Sequence, residues 1–554
     1  MFYYQFHATM CTRGRLLLLV SAGVISVLAP MGALAHPPSF APMVNYSNAG
    51  GIDVTTADVT GDNILDLITI GGSTYGFKVL PGSGTGGVGD GTFGSPQNYT
   101  SGFGPGLATG QWGVVAGDFN NDSKQDIAIA NRYTENVSIV INNGSGFNTA
   151  VHYSLFEGSS PRAITTGYFN NDNVLDLAVA DWGFPPDHTT DHWISVLLGD
   201  VNNPGTFLPE VKYDAVYQGN PYGVTPADII AADFNGDGKV DLATANTSSD
   251  DTVVFVGNGD GTFQTGVHYG YASINSNGTC VSDSSIDAGD LNGDGRIDIV
   301  MGCGTTFRAK VLLNQGNGTF PVSNSPLIVL YATGNRVRDV RLGELNNDGS
   351  LDMVTANGNT GTGEGNMSVF EGIGDGTFKP RTDYATGVNP LAHSVVIADF
   401  NGDEKKDIAV VNFALSTVSV FINETVMNPI APTLTSISPS SVVDGGTPFT
   451  LTVTGTDFYS DSVINCNGTV LTTTYSSSTE LTAIISTGNL IGVGSNPITV
   501  FTPGPGGGTS NAIDLTVSGG GGGSIPALST TGVITLVVLL LLGGSAAARR
   551  YRRW

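Results

Sequence analysis

The sequence predicts an all-β protein: a seven-bladed β-propeller followed by an immunoglobulin-like β-sandwich and a C-terminal transmembrane helix. Three observations lead to this prediction. An acidic nonapeptide recurs seven times before residue 425, and short strand patterns flank the copies. From Pro432 a different pattern of alternating apolar residues follows, and an apolar stretch followed by arginines ends the chain.

The acidic nonapeptide sets the repeat. Its first copy is Asp58-Val-Thr-Gly-Asp-Asn-Ile-Leu-Asp66. The period exceeds one hairpin and suits a four-stranded unit. Because propellers have about four to eight four-stranded blades, seven such units predict this fold. The other copies begin, at intervals of 60, 50, 65, 57, 54 and 55 residues, at Asp118, Tyr168, Asp233, Asp290, Glu344 and Asp399.

Four short strands accompany each copy. One precedes it and one follows it, as residues 395–398 and 407–411 show, and both are too short for helices. A third strand and a Gly-rich turn, commonly Gly-Thr-Phe, come next. The predicted third strands are residues 77–80, 137–141, 194–198, 252–256, 309–313, 367–370 and 418–422. The fourth strand usually carries Tyr six residues after that Phe, in the pairs Phe93 and Tyr99, Phe147 and Tyr153, Phe207 and Tyr213, Phe263 and Tyr269, and Phe378 and Tyr384.

The N-terminal segment is predicted to complete the last blade. After the seventh copy the chain continues past Ile422 without a Gly-Thr-Phe turn. Residues 40–46 begin with Phe40 and end with Tyr46, which is the same six-residue spacing. Since an unpaired edge strand invites aggregation, we expect residues 40–46 to form the outer strand of the seventh blade.

The nonapeptide predicts calcium binding. In Asp233-Phe-Asn235-Gly-Asp237-Gly-Lys239-Val-Asp241, oxygen side chains stand at positions 1, 3, 5 and 9, and position 7 offers its carbonyl. Ca²⁺ takes about six to eight oxygen ligands, and crowded carboxylates need a cation to stay ionised. We predict about five or six Ca²⁺ sites with a structural role. A solvated acidic turn is the alternative.

The predicted ligands occupy positions 1, 3, 5, 7 and 9. Position 7 is often Lys or Arg, whose side chain is expected to point outward. In the third copy Tyr168 replaces the first acid, which predicts weak binding, and Glu344 replaces it in the sixth. The full set is Asp58, Thr60, Asp62, Ile64, Asp66, Asp118, Asn120, Asp122, Lys124, Asp126, Asn170, Asp172, Asp176, Asp233, Asn235, Asp237, Lys239, Asp241, Asp290, Asn292, Asp294, Arg296, Asp298, Glu344, Asn346, Asp348, Ser350, Asp352, Asp399, Asn401, Asp403, Lys405 and Asp407.

These repeats resemble the FG-GAP/VCBS family, whose relatives include the propeller of integrin alpha subunits. We predict that the propeller domain spans residues 36–425. The resemblance to the family covers about residues 40–425. An EF-hand or dockerin is the competing motif, but its twelfth position should be an acid. Here that position holds Thr69, Ile129, Val179, Thr244, Met301, Thr355 and Val410.

Residues 432–517 form the predicted second domain. Their short alternating strands suit an immunoglobulin-like sandwich, and the opening resembles IPT/TIG domains. It has no calcium loop and no acid–base pair, so we predict a spacer, with Cys466 as a lone thiol.

In the propeller, Cys280 and Cys303 fall in loops of one face and are predicted to pair.

The two ends predict export and anchoring. Residues 1–35 read as a signal peptide, with Arg13 and Arg15, an apolar run and Ala33-Leu34-Ala35. Residues 518–531 are a Gly-rich linker and sorting motif, 532–548 the membrane segment and 549–554 a basic cytoplasmic tail. The tail resembles IPTL-CTERM sorting signals, which implies a Gram-negative-type cell envelope or surface. A plain anchor is the alternative.

Charge and scaffold together predict a binding protein. The chain has 48 acidic and 22 basic residues, a net charge of −26, which argues against a nucleic-acid partner. We predict a calcium-binding, secreted, non-catalytic adhesion scaffold, whose partners are an extracellular glycan or protein, the export and sorting machinery, and the membrane. A polysaccharide lyase or hydrolase on a propeller, and a purely structural envelope or matrix component, are the alternatives.

The face opposite the acidic loops is the predicted ligand face. It carries aromatic residues that suit sugar rings or protein hot spots, although packing at the rim is the alternative. His188 and His192 on the same face suggest zinc, but Pro185-Pro186 argues against a helix. The aromatic residues are Tyr75, Trp112, Tyr133, Trp182, Trp193, Tyr217, Tyr222 and Phe307.

Overall fold

The protein is described by a computed structural model. It describes residues 37–71, 76–102, 110–183, 193–215, 224–270, 283–322, 325, 328–358, 366–387, 391–425, 431–459, 462–502 and 508–519. These residues belong to one compact unit, 35–554. They form β-strands and turns, with one 3-10 turn at Thr487–Asn489 and no α-helix within these ranges, as the all-β prediction requires.

The predicted ends of the chain lie outside the described residues. This applies to the signal peptide (1–35), to residues 520–531 of the linker and to the transmembrane segment (532–548). In the part of the chain that is described, no helix is long and apolar enough to cross a bilayer.

Residues 44–421 form seven four-stranded antiparallel sheets, numbered 1 to 7 in chain order. A separate two-stranded hairpin, residues 82–93, follows the third strand of sheet 1. The N-terminal strand β1 (Val44–Ser47) belongs to sheet 7. The next strands in order are β2 (Asp53–Ala57), β3 (Asp66–Ile70), β4 (Gly76–Leu80), β5 (Gly82–Thr85), β6 (Val88–Phe93), β7 (Gln97–Thr100), β8 (Gln111–Gly117), β9 (Asp126–Asn131), β10 (Asn136–Val140), β11 (Val151–Ser154), β12 (Pro161–Gly167), β13 (Asp176–Asp181), β14 (Trp193–Leu197) and β15 (Val211–Asp214).

Sheets 4 to 7 repeat the same order of strands. Their members are β16 (Pro226–Ala232), β17 (Asp241–Asn246), β18 (Asp251–Phe255), β19 (Val267–Tyr269), β20 (Asp283–Gly289), β21 (Asp298–Cys303), β22 (Arg308–Leu312), β23 (Ile328–Ala332), β24 (Val337–Gly343), β25 (Asp352–Asn357), β26 (Asn366–Phe370), β27 (Thr382–Ala385), β28 (Ala392–Ala398), β29 (Asp407–Asn412) and β30 (Thr417–Phe421). The predicted third strands are confirmed to within one residue.

The second strand of each sheet is buried on both faces. β9, with the sequence Asp-Ile-Ala-Ile-Ala-Asn, has no exposed residue, and β13 and β17 are alike. Small and β-branched side chains pack on both sides of such a strand because a neighbouring sheet covers each face. This explains why these strands are continuously apolar rather than alternating.

Tyr–Phe contacts join each sheet to the next. The Tyr of one fourth strand packs edge-on against the Phe of the following sheet, and the ring centroids are 4.9 to 5.7 Å apart. The Phe and Tyr of one sheet therefore contact different neighbours. The pairs are Tyr46 and Phe93, Tyr99 and Phe147, Tyr153 and Phe207, Tyr213 and Phe263, Tyr269 and Phe320, Tyr331 and Phe378, and Tyr384 and Phe40.

The predicted pairing of the N-terminal segment with the last sheet is confirmed. β1 pairs with β30, from Val44 opposite Val420 to Ser47 opposite Thr417, and Phe40 bridges to Asn423. The first strands of consecutive sheets contact one another, and β28 of sheet 7 contacts β2 of sheet 1. The contacts between sheets therefore return to their starting point.

Residues 433–518 form two sheets that face a separate core. One has the order β31-β33-β37-β36 and the other β32-β39-β38-β34-β35. Leu451, Ile464, Leu481 and Val500 are completely buried between them. The strands are β31 (Thr433–Ser438), β32 (Ser441–Val443), β33 (Phe449–Thr456), β34 (Val463–Cys466), β35 (Thr469–Val470), β36 (Thr473–Ser477), β37 (Glu480–Ile485), β38 (Gly494–Phe501) and β39 (Ile513–Ser518).

Candidate functional site

Each acidic loop joins the first strand of a sheet to the second, and backbone amides orient its oxygen atoms. In the fourth loop, Asp233 Oδ1 accepts from Gly236 N at 2.7 Å and its Oδ2 accepts from Gly238 N at 2.7 Å. Asn235 Oδ1 accepts from Asp237 N at 2.8 Å. The loops at Asp118, Asp290 and Asp399 repeat much of this pattern. The side-chain oxygens therefore gather inside a tight turn.

The ninth position is a structural carboxylate. All seven aspartates at this position are completely buried. Asp407 Oδ2 accepts from Phe400 N at 2.8 Å, and Oδ1 accepts from Asn423 N at 2.7 Å. The pKa of Asp407 is raised to about 6, mainly by burial and in part by the nearby Asp403 and Asp399, while the two amide hydrogen bonds oppose the rise. This residue closes its loop and ties it to the end of the third strand.

The position-2 carbonyl links each loop to the neighbouring sheet. It accepts either a glycine amide from the Gly-rich turn of the next sheet or an Asn amide from the end of that sheet's third strand. Examples are Gly205 N to Phe119 O at 2.9 Å and Asn314 Nδ2 to Phe234 O at 2.8 Å. Gly91 N donates to Phe400 O at 3.2 Å and so links sheet 1 to sheet 7. The sequence analysis missed this contact because a carbonyl leaves no residue signature.

The side chains at position 7 do not point away from the loop, contrary to the expectation. Lys124 Nζ lies 2.7 Å from Asp122 Oδ2, and Lys405 Nζ lies 3.4 Å from Asp403 Oδ2. Arg296 also pairs with Asp294. The cationic group bends back because the position-5 carboxylate is its nearest anion.

The loop composition fits a hard cation, although the described residues contain no group of three or more His, Cys, Asp or Glu side chains arranged to hold a metal. The donor set also includes Asn side chains and carbonyls, and oxygen ligands suit Ca²⁺. A carboxylate oxygen that accepts one amide keeps a second lone pair for a cation.

The third loop differs from the others in its first residue. Tyr168 replaces the first acid, and half of its surface is exposed. Asn170 turns its amide nitrogen toward Asp172 Oδ2, at 2.9 Å, and Asn346 does the same toward Asp348 Oδ2 in the sixth loop, at 3.1 Å. An amide donor neutralises part of the charge that a cation would otherwise bind. In the sixth loop, Glu344 preserves the amide contacts, accepting from Asn346 N and Gly349 N.

The first strands line a cavity of about 300 Å³ along the axis between the sheets. Carboxylates there connect neighbouring strands: Asp53 Oδ2 accepts from Val114 N at 3.0 Å, and Asp339 Oδ2 accepts from Val395 N at 2.9 Å. Arg341 Nη1 lies 3.0 Å from Asp339 Oδ1 and 3.8 Å from Asp228 Oδ2. The sequence analysis did not identify this network.

A one-residue bulge interrupts the first strand of sheets 2 to 7. The bulged residues all line the cavity near the ends of the strands opposite the acidic loops, and they form what we call the channel mouth. They are Trp112, Arg162, Ala227, Ser284, Arg338 and His393. Because a bulge redirects a side chain, these residues face the axis while their neighbours in the strand pack between sheets.

The predicted aromatic face is only partly available to a ligand. Trp182 is covered by Arg162 and Arg132, whose guanidinium carbons lie 4.2 and 4.5 Å from its ring centroid. Trp112 contacts both arginines, and Trp193 is covered by Lys212 at 4.7 Å. Tyr133 and Phe307 are exposed. Tyr75, Tyr217, Tyr222, His188 and His192 lie outside the described residues.

The cysteines agree with the predictions as far as they are described. Cys303 is disulfide-bonded, and its predicted partner Cys280 lies outside the described residues. Cys466 is free and completely buried, and burial raises the pKa of its thiol. This is the environment of an inert thiol.

The sandwich contacts the acidic loops of sheets 6 and 7. Tyr459 is hydrogen-bonded to Asn347 of the sixth loop. Tyr475 donates its hydroxyl to Glu404 Oε1 of the seventh loop, at 3.0 Å. The sandwich therefore lies against the acidic-loop face and leaves the channel mouth on the opposite face.

Two family models match the chain. A model described as FG-GAP-like repeat matches residues 118–179, 233–301 and 345–410, and each match reaches from one acidic loop to the strand after the next loop. A model described as IPT/TIG domain matches residues 432–517. Among curated proteins, none matches this sequence. Repeats and a domain of these kinds fit an adhesion or binding scaffold in general. The chain thus contains FG-GAP-like repeats followed by an IPT/TIG domain.

Proposed function

We propose that the protein is a calcium-stabilised, closed seven-bladed propeller displayed at a Gram-negative-type cell surface as a non-catalytic binding or adhesion scaffold. The cyclic series of contacts between sheets supports the propeller. Two series of contacts join each sheet to the next, the tyrosine–phenylalanine pairs and the loop carbonyl contacts. Both series continue from sheet 7 to sheet 1.

The proposed calcium role is structural. The loops carry oxygen donors in a tight turn, and their position-2 carbonyls contact the neighbouring sheets. A bound Ca²⁺ would fix the donor positions and so stabilise both the loop and the contact between sheets. Positions 1, 3 and 5, with the position-7 carbonyl and the position-9 carboxylate, are the residues that would hold it.

The observation that carries the binding role is the separation of the two faces. One face holds the acidic loops and the contact with the sandwich. The other holds the channel mouth and the exposed aromatic residues Tyr133 and Phe307. A scaffold anchored through its C-terminal domain would present this second face outward. Asp53 and Asp339, which line the axial cavity, accept hydrogen bonds from backbone amides. This supports a binding role rather than acid–base catalysis.

A binding screen tests this function. The purified exported chain would be screened against glycans and matrix proteins with Ca²⁺ and with chelator, beside the double variant Tyr133→Ala and Phe307→Ala. We expect calcium-dependent binding of at least one ligand class. Release of unsaturated or hydrolysed sugar products would support a lyase or hydrolase instead, and no binding to any ligand would support a purely structural role.

A further inference from the structure

We propose that the channel mouth binds the oxyanion group of an acidic saccharide, a carboxylate or a sulfate, through Arg162 and Arg338. This inference rests on the proposed binding function and names the chemical class of its ligand. The two arginines occupy bulged positions in sheets 3 and 6, and both line the axial cavity.

Two arginines of the mouth and two that lie beside it form no ion pair within the described part of the chain. Among the ion pairs of the described residues, none includes Arg132, Arg162, Arg336 or Arg338. Arg336 Nε is buried without a hydrogen-bond partner. By contrast, Arg341 in the same cavity pairs with Asp339 and Asp228. In a chain with 48 acidic and 22 basic residues, four unpaired arginines together require an explanation.

The mouth is preorganised for an anion. Trp182 holds the Arg162 guanidinium at 4.2 Å from its ring centroid, and Arg132 Nε donates to Ser160 Oγ at 2.9 Å. A guanidinium fixed in this way keeps its N–H groups for a carboxylate or sulfate, which it binds with two parallel hydrogen bonds. His393 donates to Ile52 O at 2.7 Å.

The electrostatics of the mouth agree with this geometry. The pKa of Arg162 is lowered to about 9, mainly by burial; Asp228 opposes the change, and Arg132 and Arg338 add to it. Burial also lowers the pKa of Arg338 to about 10. These side chains are desolvated and repel one another, so an anion placed between them would be bound strongly despite the negative charge of the whole chain.

The size of the cavity limits what part of a ligand can enter. About 300 Å³ is the lower end of typical small-ligand pockets, which are roughly 300–1,000 Å³. One acidic sugar unit therefore suits the mouth better than a length of polymer. The exposed Tyr133 adjoins the mouth, with its ring centroid 5.8 Å from the Arg132 guanidinium carbon, and it can contact the adjoining sugar unit.

Calorimetry on the full exported chain with saturating Ca²⁺ tests the proposal. The probes are a galacturonic acid trisaccharide, a sulfated disaccharide, a neutral galactose trisaccharide and sodium sulfate. We expect an acidic saccharide to bind at least roughly tenfold more tightly than the neutral one. Arg162→Gln and Arg338→Gln should each weaken that binding roughly tenfold.

The control is Arg381→Gln, which removes an arginine that already pairs with Asp383 on the outer strand of sheet 6. It should leave binding unchanged, and melting curves would show that all three variants are folded. Equal binding of neutral and acidic sugars would overturn the proposal but leave the binding function intact. Unchanged affinity in both mouth variants, or binding of sulfate as tight as that of the saccharides, would also overturn it.

Discussion

The acidic loops and the channel mouth lie at opposite ends of the same strands, and they differ in how regularly their residues recur. In the loops, an acid stands at position 1 in all copies but the third, and an aspartate at position 9 in all of them. At the mouth, the six bulged positions carry five residue types, and only arginine occurs twice, at Arg162 and Arg338. Residues that recur make the same contacts in every sheet. Residues that depart from the repeat can instead form a single site to which several sheets contribute.

The largest expected effect comes from removing calcium from the loops. Chelation should lower the free energy of unfolding of the repeat region by more than about 5 kcal/mol. A single site at one hundred times its Kd contributes about 2.7 kcal/mol, and several sites act together. Thermal melting and elemental analysis of the exported chain, with and without chelator, would measure this.

Two matched variants sharpen this prediction. Asp237→Asn changes position 5 of the complete fourth loop, and Asp172→Asn changes the same position of the third. The first should remove one bound Ca²⁺ and about 2–3 kcal/mol of calcium-dependent stability. The second should change neither, because the third loop has Tyr168 in place of the first acid. Equal losses in the two variants, or an exported chain without stoichiometric calcium, would contradict the metal role of the loops.

A smaller effect is expected where the N-terminal segment completes sheet 7 and packs against sheet 6. Phe40 packs 5.1 Å from Tyr384 and 6.1 Å from Phe421, measured between ring centroids. Phe40→Ala should lower the free energy of unfolding by about 2–3 kcal/mol, since it removes a partly buried aromatic ring. Urea denaturation would measure the loss. The exposed Phe307 offers a control, and Phe307→Ala should change stability by less than about 0.5 kcal/mol. If Phe40→Ala is as stable as the wild type, the packing of Phe40 against Tyr384 and Phe421 does not contribute to the stability of the fold.

The smallest expected effect concerns a departure from the repeat near the mouth. Four second strands end in Asn131, Asn246, Asn357 and Asn412, but β13 ends in Asp181. The pKa of Asp181 is raised to about 7, mainly by burial and in part by Glu210, while hydrogen bonds from Ser159 and Ser195 and the charge of Lys212 oppose the rise. The hydroxyl of Ser195 lies 2.8 Å from Asp181 and 2.9 Å from Glu210. Its single proton can serve only one carboxylate at a time, which favours a protonated partner.

This carboxyl predicts a pH dependence of stability. A carboxyl whose pKa is higher in the folded state stabilises the fold at low pH, and that contribution is lost as the pH rises through the folded pKa. The wild type should therefore lose about 1 kcal/mol between pH 6 and 8 relative to Asp181→Asn, which introduces the residue found at this position in four other repeats. Melting temperatures of both proteins at saturating Ca²⁺ would test this. Parallel pH profiles would contradict it.

Much of the fold could be predicted because residues at fixed spacings within the repeat mark where each strand lies. The spacing of Phe and Tyr placed residues 40–46 in the last sheet, and the pairing of Val44 with Val420 confirms that strand. The predicted third strands were correct to within one residue because the β-branched pattern and turn glycines mark them clearly. By contrast, the outward direction expected for Lys124 was wrong, because the nearest carboxylate is two residues away on its own loop.

The aromatic residues could be assigned to a face from strand direction but not to a role. For Trp182 and Trp112 both ligand contact and packing at the rim were open, and the structure shows that arginines cover both rings. The bulges that turn Arg162 and Arg338 toward the axis have no signature in the sequence, because a bulge is a register difference between two strands. The carboxylates that join the first strands were missed because the partners are distant in the chain: Asp53 accepts from Val114, and Asp339 accepts from Val395.

The sequence by itself determined the all-β class, the seven repeats, the acidic loops and the partner of the N-terminal strand. These features depend on local patterns that recur at a fixed spacing, and recurrence makes them visible without coordinates. Only the tertiary structure decided which side chains meet on the axis, because the convergence of seven first strands depends on how the sheets pack. The unpaired arginines of the mouth are therefore a property of the assembled fold, and the repeat motif does not contain them.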